Sequence, residues 1–305
     1  MKSIFKVLSI LAAGAFMIAC SEKEEPTTPT EDEKQEEQGG QKEEGTTSTK
    51  TVKITAMSFN IKYPSSDDTG DKAWANRKVG VVEMLKTKKP DIVGLQECYI
   101  SQRTYLVESL PQYDCYGLVR NNGKNEGSGE TMSILWNKDK LEKVECGTFW
   151  LSETPDEPSK GWGAANYRDC TWILFKDKKT GKKFYHFNTH LDHAVAAAQT
   201  GGAKLIRQRM KAINTAGYPV VLTGDMNVEE DSSVCALFEM KSARKESGSG
   251  DYGVTCHGYG SKTQIIDHIF YEGMEPWYFL TVKGPWAGFT YVSDHTAVMA
   301  ELQFK

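Results

Sequence analysis

Alternating apolar and polar residues recur along most of the chain after residue 50 and predict a fold built largely from short strands. A period of two is typical of a strand with one buried face. The clearest case is the final segment, in which Val298, Ala300, Leu302 and Phe304 share one side. In chain order, the predicted strands are Ile54–Ile61, Asp91–Glu97, Met132–Trp136, Thr171–Phe175, Lys183–Leu191, Pro219–Thr223, Gln264–Tyr271 and Thr296–Phe304.

Helical periodicity is clearest in two stretches. Arg77–Lys88 carries its apolar residues on one stripe and is followed by Pro90, which cannot continue a helix. Ala203–Ala216 is followed by Gly217, a residue that commonly stands just beyond a helix end. Because the strands outnumber the helices, the pattern favours stacked sheets flanked by a few helices.

The first twenty residues have the pattern of a targeting segment. Lys2 and Lys6 precede an apolar run, Val7–Ala19, that is shorter than the roughly 20 residues a membrane-spanning helix needs. Met17–Cys20 resembles a bacterial lipobox, with Met where Leu is usual. We therefore expect residues 1–20 to be a lipoprotein signal peptide and Cys20 to carry lipid, with ordinary secretory cleavage near Ala19 as the alternative. The expected location is the bacterial outer membrane, and the acids after Cys20 resemble surface-export signals.

Residues 21–50 contain ten acids, four lysines and no large apolar residue, which predicts a disordered acidic tether. The remaining 255 residues hold thirty-one acidic and thirty-one basic residues, so the predicted domain over 51–305 is neutral. Proteins that grip long nucleic acids usually carry a basic excess, and this balance weighs against generic duplex binding. No internal repeat divides this stretch, and we expect one monomeric domain.

Six cysteines follow Cys20, and no two of them form a CxxC pair. Export permits disulfides, but buried thiols are an equally good interpretation, and the pairing stays open at this point. A zinc site built from them is not expected. The six positions are Cys98, Cys115, Cys146, Cys170, Cys235 and Cys256.

Polar side chains recur where the predicted strands begin or end. Asn188 and His190 lie two apart on one strand, so the pleat directs both to the same face. Each such residue alone is weak evidence, but a rigid scaffold can bring many of them together from distant parts of the chain. The other members of this set are Asn60, Glu97, Asp225, Asn227, Asp267, Asp294 and His295.

Taken in order, these motifs resemble those of the endonuclease/exonuclease/phosphatase superfamily. The resemblance extends over residues 52–304 and implies an α/β fold, a four-layered α-β-β-α sandwich of two mixed sheets with outer helices. It also implies a phosphoester hydrolase site at one edge of the sheets. The motifs are Met57–Asn60, Leu95–Glu97, Asn188–His193, Gly224–Asn227, Ile266–His268 and Ser293–His295.

The resemblance implies a metal site in which Glu97 is the main carboxylate ligand, with Asn60 and Asp294 nearby. Such oxygen ligands suit Mg²⁺, which commonly takes one or two protein carboxylates and leaves positions for water and substrate. Mn²⁺ could replace it, whereas zinc would prefer several His or Cys ligands.

The resemblance also implies catalytic roles. Asp225 looks like the group that orients or deprotonates the attacking water, held by Asn227. His295 resembles the imidazole beside the phosphate, with Asp267 as its orienting carboxylate; the division of acid and base work between Asp225 and His295 stays open.

Three further residues follow from the same resemblance. Glu130 resembles the acid that pairs with His190, and Arg168 resembles a phosphate-facing arginine. Because carboxylates raise imidazole pKa values, we expect both His190 and His295 to be protonated near neutral pH. Four aromatic residues in nearby segments are candidates for the rim of the pocket or for ordinary packing: Trp150, Trp162, Trp286 and Phe289.

We thus expect a divalent-metal-dependent hydrolase of phosphoester bonds, with a phosphodiester first among the substrate classes and in-line attack by water. A phosphomonoesterase is one alternative. The other is a non-enzymatic surface-binding lipoprotein on the same scaffold. The sequence does not identify the physiological substrate.

Overall fold

The computed structural model describes residues 52–305. The predicted signal peptide, the lipidation site at Cys20 and the acidic tether lie outside these residues. Within them, thirteen strands form two sheets, and no helix is both long enough and apolar enough to cross a membrane.

The first sheet has seven strands in the order β10-β12-β13-β1-β2-β4-β3, and the second has six in the order β5-β6-β7-β8-β11-β9. Both sheets are mixed, because β1 with β2 and β7 with β8 run parallel while most other neighbours are antiparallel. The strands are β1 Lys53–Asn60, β2 Ile92–Tyr99, β3 Tyr113–Tyr116, β4 Glu130–Asn137, β5 Leu141–Trp150, β6 Asp169–Asp177, β7 Lys183–His190, β8 Val220–Asp225, β9 Lys241–Ser242, β10 Gly250–Asp251, β11 Asp267–Glu272, β12 Met274–Thr281 and β13 Val298–Phe304.

Helices cover the outer faces of the two sheets. Helix α1 packs on the first sheet, with Val81 and Leu85 against Phe59 and Leu95. Helix α3 packs on the second through an apolar stripe that includes Ile206. The helices are α1 Trp74–Lys88, α2 Ile100–Ser109, α3 Ala196–Ile213, α4 Ser233–Ala236 and α5 Ala243–Glu246, with short 3-10 turns at Gly70–Lys72 and Gly258–Gly260.

The main core lies between the sheets. Val298, Ala300, Leu302 and Phe304 all face it, as the alternation predicts, while Met299 faces the helical side. Two stacked sheets with outer helices confirm the predicted four-layered α/β sandwich.

The predicted elements are present with shifted ends. Helix α3 begins at Ala196 rather than Ala203 and ends at Ile213, and Gly217 lies in the turn beyond it with a φ of 66°. Strand β11 begins at Asp267, because Gln264 instead forms an isolated bridge with Cys256. Helix α2 and strands β3, β5 and β12 are elements that the sequence patterns did not reveal.

Candidate active site

Parallel strand pairs bring the polar strand ends to one edge of the sandwich. Asn60 ends β1 and pairs in register with Gln96, the residue before Glu97 on β2. His190 and Asp225 end the parallel strands β7 and β8 and are register partners. The two sheets therefore deliver side chains from distant parts of the chain to a common cleft.

A row of three polar residues crosses the second sheet at this edge. Asp267, Asp225 and His190 are register partners on the adjacent strands β11, β8 and β7, so their side chains share one face. His295 completes the group: its Nδ1 lies 2.8 Å from Asp267 Oδ2, and its Nε2 lies 3.9 Å from Asp225 Oδ2. His190 Nε2 approaches the same Asp225 oxygen to 3.5 Å.

A β-bulge directs Glu97 into the cleft. The β2–β4 register shifts between Leu95 and Cys98, and Glu97 has a φ of 56°, in the left-handed region that non-glycine residues rarely adopt. Asn60 Nδ2 donates to Glu97 Oε1 at 3.1 Å and to Asp225 Oδ2 at 3.0 Å. The Asn60 amide thus links the carboxylates of the two sheets.

Asp294 and Glu97 create a negative region that attracts a cation. Lys62 Nζ lies 3.7 Å from Asp294 Oδ2. Burial works to lower the pKa of Lys62, but the charges of Asp294 and Glu97 outweigh it and raise that pKa. The carboxylates of Glu97 and Asp294 supply oxygen donors that fit a hard divalent cation such as Mg²⁺, while Asn60 directs its Nδ2 to Glu97 and accepts from the Lys62 backbone N–H through Oδ1.

Asp225 is held in a fixed position by backbone and side-chain donors. The Asn227 backbone N–H donates to Asp225 Oδ1 at 2.9 Å, and Asn227 Nδ2 donates to the Leu191 carbonyl at 3.0 Å. Burial, with a contribution from Asp267, raises the pKa of Asp225. This position suits a carboxylate that takes a proton near neutral pH.

The two histidines differ in protonation. Burial works to lower the pKa of His295, but Asp267 outweighs it and raises that pKa well above the usual value, so this imidazole is protonated as expected. Burial, reinforced by Arg168 and Arg120, lowers the pKa of His190 well below the usual value. This direction is opposite to the one expected for His190, because desolvation and the nearby arginines favour the neutral imidazole.

Glu130 pairs with an arginine rather than with His190. Its carboxylate forms an ion pair of 2.7 Å and a hydrogen bond of 2.8 Å with the Arg120 guanidinium. His190 Nδ1 has no hydrogen-bond partner among the described residues. The predicted Glu130–His190 pairing is wrong because the loop before β4 supplies a cation that the acid prefers.

Arg168 lies in the cleft wall, as expected, and is almost fully buried. Its Nη2 lies 3.1 Å from His193 Nδ1, and its Nε lies 3.7 Å from Asp192 Oδ2. The Nε and Nη1 atoms make no hydrogen bond within the described chain.

Asn188 supports the site from behind. Its Nδ2 donates to the carbonyls of Leu95 and Ser133 at 2.9 and 3.0 Å, and its Oδ1 accepts from Gln96 Nε2 at 2.7 Å. These bonds join the two sheets directly beneath Glu97. These contacts fit an orienting role for Asn188 rather than a direct one.

None of the four candidate rim aromatics lines the cleft. Trp150 is buried and donates to the Arg120 carbonyl at 2.6 Å, and Trp162 covers Gly201 of α3. Trp286 and Phe289 pack against the apolar cluster beneath α1. The packing interpretation fits Trp150, Trp162 and Phe289, whereas Trp286 also lines an adjacent pocket that shares His295 with the cleft.

The cleft has a volume of about 540 Å³, which suits a small ligand. All predicted site residues except Asn60 and Asp267 line it, and those two contact its lining residues directly. Sequence reasoning missed several lining residues. Most lie in loops without a motif, whereas His193 and Ile266 lie inside quoted motifs without an assigned role, and Lys62, Tyr63 and Tyr99 closely follow predicted strand ends. The missed residues are Lys62, Tyr63, Tyr99, Arg120, Asn166, His193, Cys256, Lys262, Gln264 and Ile266.

A second arrangement could also hold a metal. One ligand atom from each of Asp225, Asp267 and His295 lies within 4.8 Å of the others. His295 Nδ1 is already engaged by Asp267, however, which favours an acid–base relay for this triad. The six cysteines after Cys20 are all free thiols, so no disulfide joins them.

Comparison with known proteins decides the family. The family model described as the endonuclease/exonuclease/phosphatase family matches residues 57–295. The chain belongs to this family. A crystal structure of a family member from Bacteroides thetaiotaomicron is 32% identical, with a TM-score of 0.78 over 84% of this chain and 99% of that one.

Two further proteins are similar to this chain. A mannosyl-6-phosphatase from Bacteroides thetaiotaomicron is 32% identical, with a TM-score of 0.76 over 82% of this chain and 99% of that chain. An uncharacterised protein of Acanthamoeba polyphaga mimivirus is 29% identical over 164 residues, covering 52% of this chain and 60% of that protein. The chain thus spans about 60% of the length of this curated relative. Members of the endonuclease/exonuclease/phosphatase family are phosphoester hydrolases.

Proposed function

We propose that this family member hydrolyses phosphoester bonds with the help of a divalent cation and by in-line attack of water. The observation that carries the proposal is the convergence of Asp225, His295 and Glu97 on one cleft. Asp225 Oδ2 lies 3.9 Å from His295 Nε2 and is bridged to Glu97 by the Asn60 amide, which donates to both carboxylates.

Glu97, Asp294 and Asn60 are the residues that we propose hold the cation. A bound Mg²⁺ would supply charge neutralisation for the attacked phosphoryl group. The raised pKa of Lys62, caused by Asp294 and Glu97 against the effect of burial, supports a local preference for positive charge.

The protein's own groups divide the remaining work. Asp225 accepts a proton from the attacking water, and its burial supports that role by raising its pKa. The protonated His295, oriented by Asp267 at 2.8 Å, stabilises the negative charge that develops on the phosphoryl oxygens. His190 is neutral and lies 3.5 Å from Asp225 Oδ2, where it orients that carboxylate.

Two types of phosphoester are candidates for the substrate. The sequence favours a phosphodiester. The 32% identity to a mannosyl-6-phosphatase and the size of the cleft favour a phosphomonoester, such as a sugar phosphate.

The proposal includes export and a lipid anchor at Cys20, based on the sequence of residues 1–20. Mass spectrometry of the mature N terminus tests it. An unmodified Cys20 would refute the anchor.

The decisive experiment assays the full chain against p-nitrophenyl phosphate, bis-p-nitrophenyl phosphate, mannose 6-phosphate and plasmid DNA. Each is tested with Mg²⁺, with Mn²⁺ and with EDTA. Turnover that needs a divalent cation supports the proposal. Tight ligand binding without any turnover would instead favour the non-enzymatic binder.

A further inference from the structure

The Arg120–Glu130 pair lies at the cleft wall, where the family resemblance predicts a Glu–His pair. The side chains are only 12% and 14% exposed. Glu130 contacts the guanidinium through both of its oxygens, at 2.7 and 2.8 Å, and so fixes its plane. Glu130 therefore positions an additional arginine at the cleft.

Arg168 brings a second guanidinium to the same cleft with donors to spare. It is 4% exposed, yet its Nε and Nη1 make no hydrogen bond within the described chain. The nearest acid, Asp192, already accepts backbone N–H groups of Ala165, Ala194 and Val195. A buried charged donor without a partner is costly, so this group fits an acceptor supplied by a ligand.

The two guanidiniums also lie close enough to influence each other. Burial and then the charge of Arg120 lower the pKa of Arg168. Glu130 and Asp192 offset part of the positive charge, and Asp169 lies buried beside both arginines. An anion in the cleft would satisfy the free donors and relieve the repulsion.

We propose that Arg120 and Arg168 form a guanidinium pair that binds the terminal oxygens of a phosphomonoester and makes the enzyme prefer monoesters to diesters. This inference rests on the proposed hydrolase function. A phosphomonoester carries close to two negative charges at neutral pH and has three terminal oxygens. A phosphodiester has one negative charge fewer and one terminal oxygen fewer, because one oxygen carries a second ester group.

The test compares kcat/KM for p-nitrophenyl phosphate and bis-p-nitrophenyl phosphate in wild type and in Arg120→Met. Loss of one charge-assisted contact should lower the monoester-to-diester ratio about 10- to 100-fold. Inorganic phosphate, titrated calorimetrically into the Mg²⁺-loaded protein, should bind more weakly by a similar factor. Arg209→Met is the matched control, because Arg209 pairs with the exposed Asp156 and lies outside the cleft lining.

An unchanged ratio in Arg120→Met would overturn the inference, whether both substrates lose activity equally or neither does. If that variant does not fold, Arg120→Lys replaces it. The lysine keeps the charge but loses the planar fork, so the ratio should fall about 3- to 10-fold. If wild type hydrolyses neither ester, the proposed function fails. Phosphate binding then tests the guanidinium pair on its own. A phosphate affinity that Arg120→Met leaves unchanged would refute the pair.

Discussion

Replacing Asp169 by Asn should raise the free energy of unfolding at pH 8 while leaving it nearly unchanged at pH 4. Asp169 is fully buried at the start of β6, and neither carboxylate oxygen has a hydrogen-bond partner among residues 52–305. Burial raises the pKa of Asp169 to about 7, although Arg120 and Arg168 oppose the shift and Glu130 adds to it. The ionised form is therefore disfavoured in the folded protein.

The size of the effect follows from this shift. A rise of about 3 units from the ordinary 3.8 corresponds to about 4 kcal/mol, at about 1.36 kcal/mol per unit. Between about pH 4 and pH 7 the folded state keeps a proton that the unfolded state releases. The wild-type free energy of unfolding should thus lose up to about 1.4 kcal/mol per pH unit through Asp169 in this window and level off above pH 7. The amide in Asp169→Asn cannot ionise and removes this loss.

Urea unfolding of wild type and Asp169→Asn at pH 4, 5, 6, 7 and 8 measures the difference directly. Asp177→Asn is a suitable control at the other end of β6, because Asp177 accepts hydrogen bonds from Thr180 N and Oγ1 at 2.8 and 2.6 Å. That variant should not gain stability at neutral pH, because Asp177 is already a satisfied acceptor in the folded protein. A difference between wild type and Asp169→Asn that does not change with pH would refute the reasoning.

Three other outcomes are expected. His295→Ala should lower kcat by about 10²-fold or more, and near-normal turnover would remove this imidazole from the mechanism. Glu97→Gln should weaken Mg²⁺ binding in calorimetry about 10- to 100-fold, whereas Asp267→Asn should leave the Mg²⁺ affinity within about threefold. A larger loss in Asp267→Asn than in Glu97→Gln would assign the metal to the Asp225–Asp267–His295 triad. Because the six cysteines after Cys20 are free thiols, dithiothreitol should not change Tm, and a drop of several degrees would indicate a disulfide.

The sequence predicts the layered fold well because period-two patterns mark strands that have one buried face. Strand β13 is the clearest example, with alternate residues facing the inter-sheet core. Strand β5 was missed for the opposite reason. It lies at the edge of the second sheet, and residues 142–145 are exposed, so no alternation appears in its sequence.

The site is predictable where a motif also defines the strand end. Asp225 and Asp267 are register partners at strand ends, and Asn60 ends a strand of the other sheet, from which it donates to Asp225. Arg120 and Lys62 lie in loops, and a loop's path depends on tertiary contacts that no local pattern encodes. These two residues were missed for that reason.

The protonation of His190, a residue in a motif, depends on Arg120, a residue in a loop. From the motif alone, a histidine beside Asp225 and Glu130 should be a cation, because carboxylates favour the charged imidazole. In the fold, Glu130 instead neutralises Arg120, and the two arginines join burial in lowering the pKa of His190. Because the loop supplies Arg120, the positive charge at this place in the cleft is on a guanidinium, which stays charged. It is not on the His190 imidazole, which can titrate. We therefore expect the affinity of the cleft for an anion such as inorganic phosphate to persist above the pH at which a histidine cation would be lost.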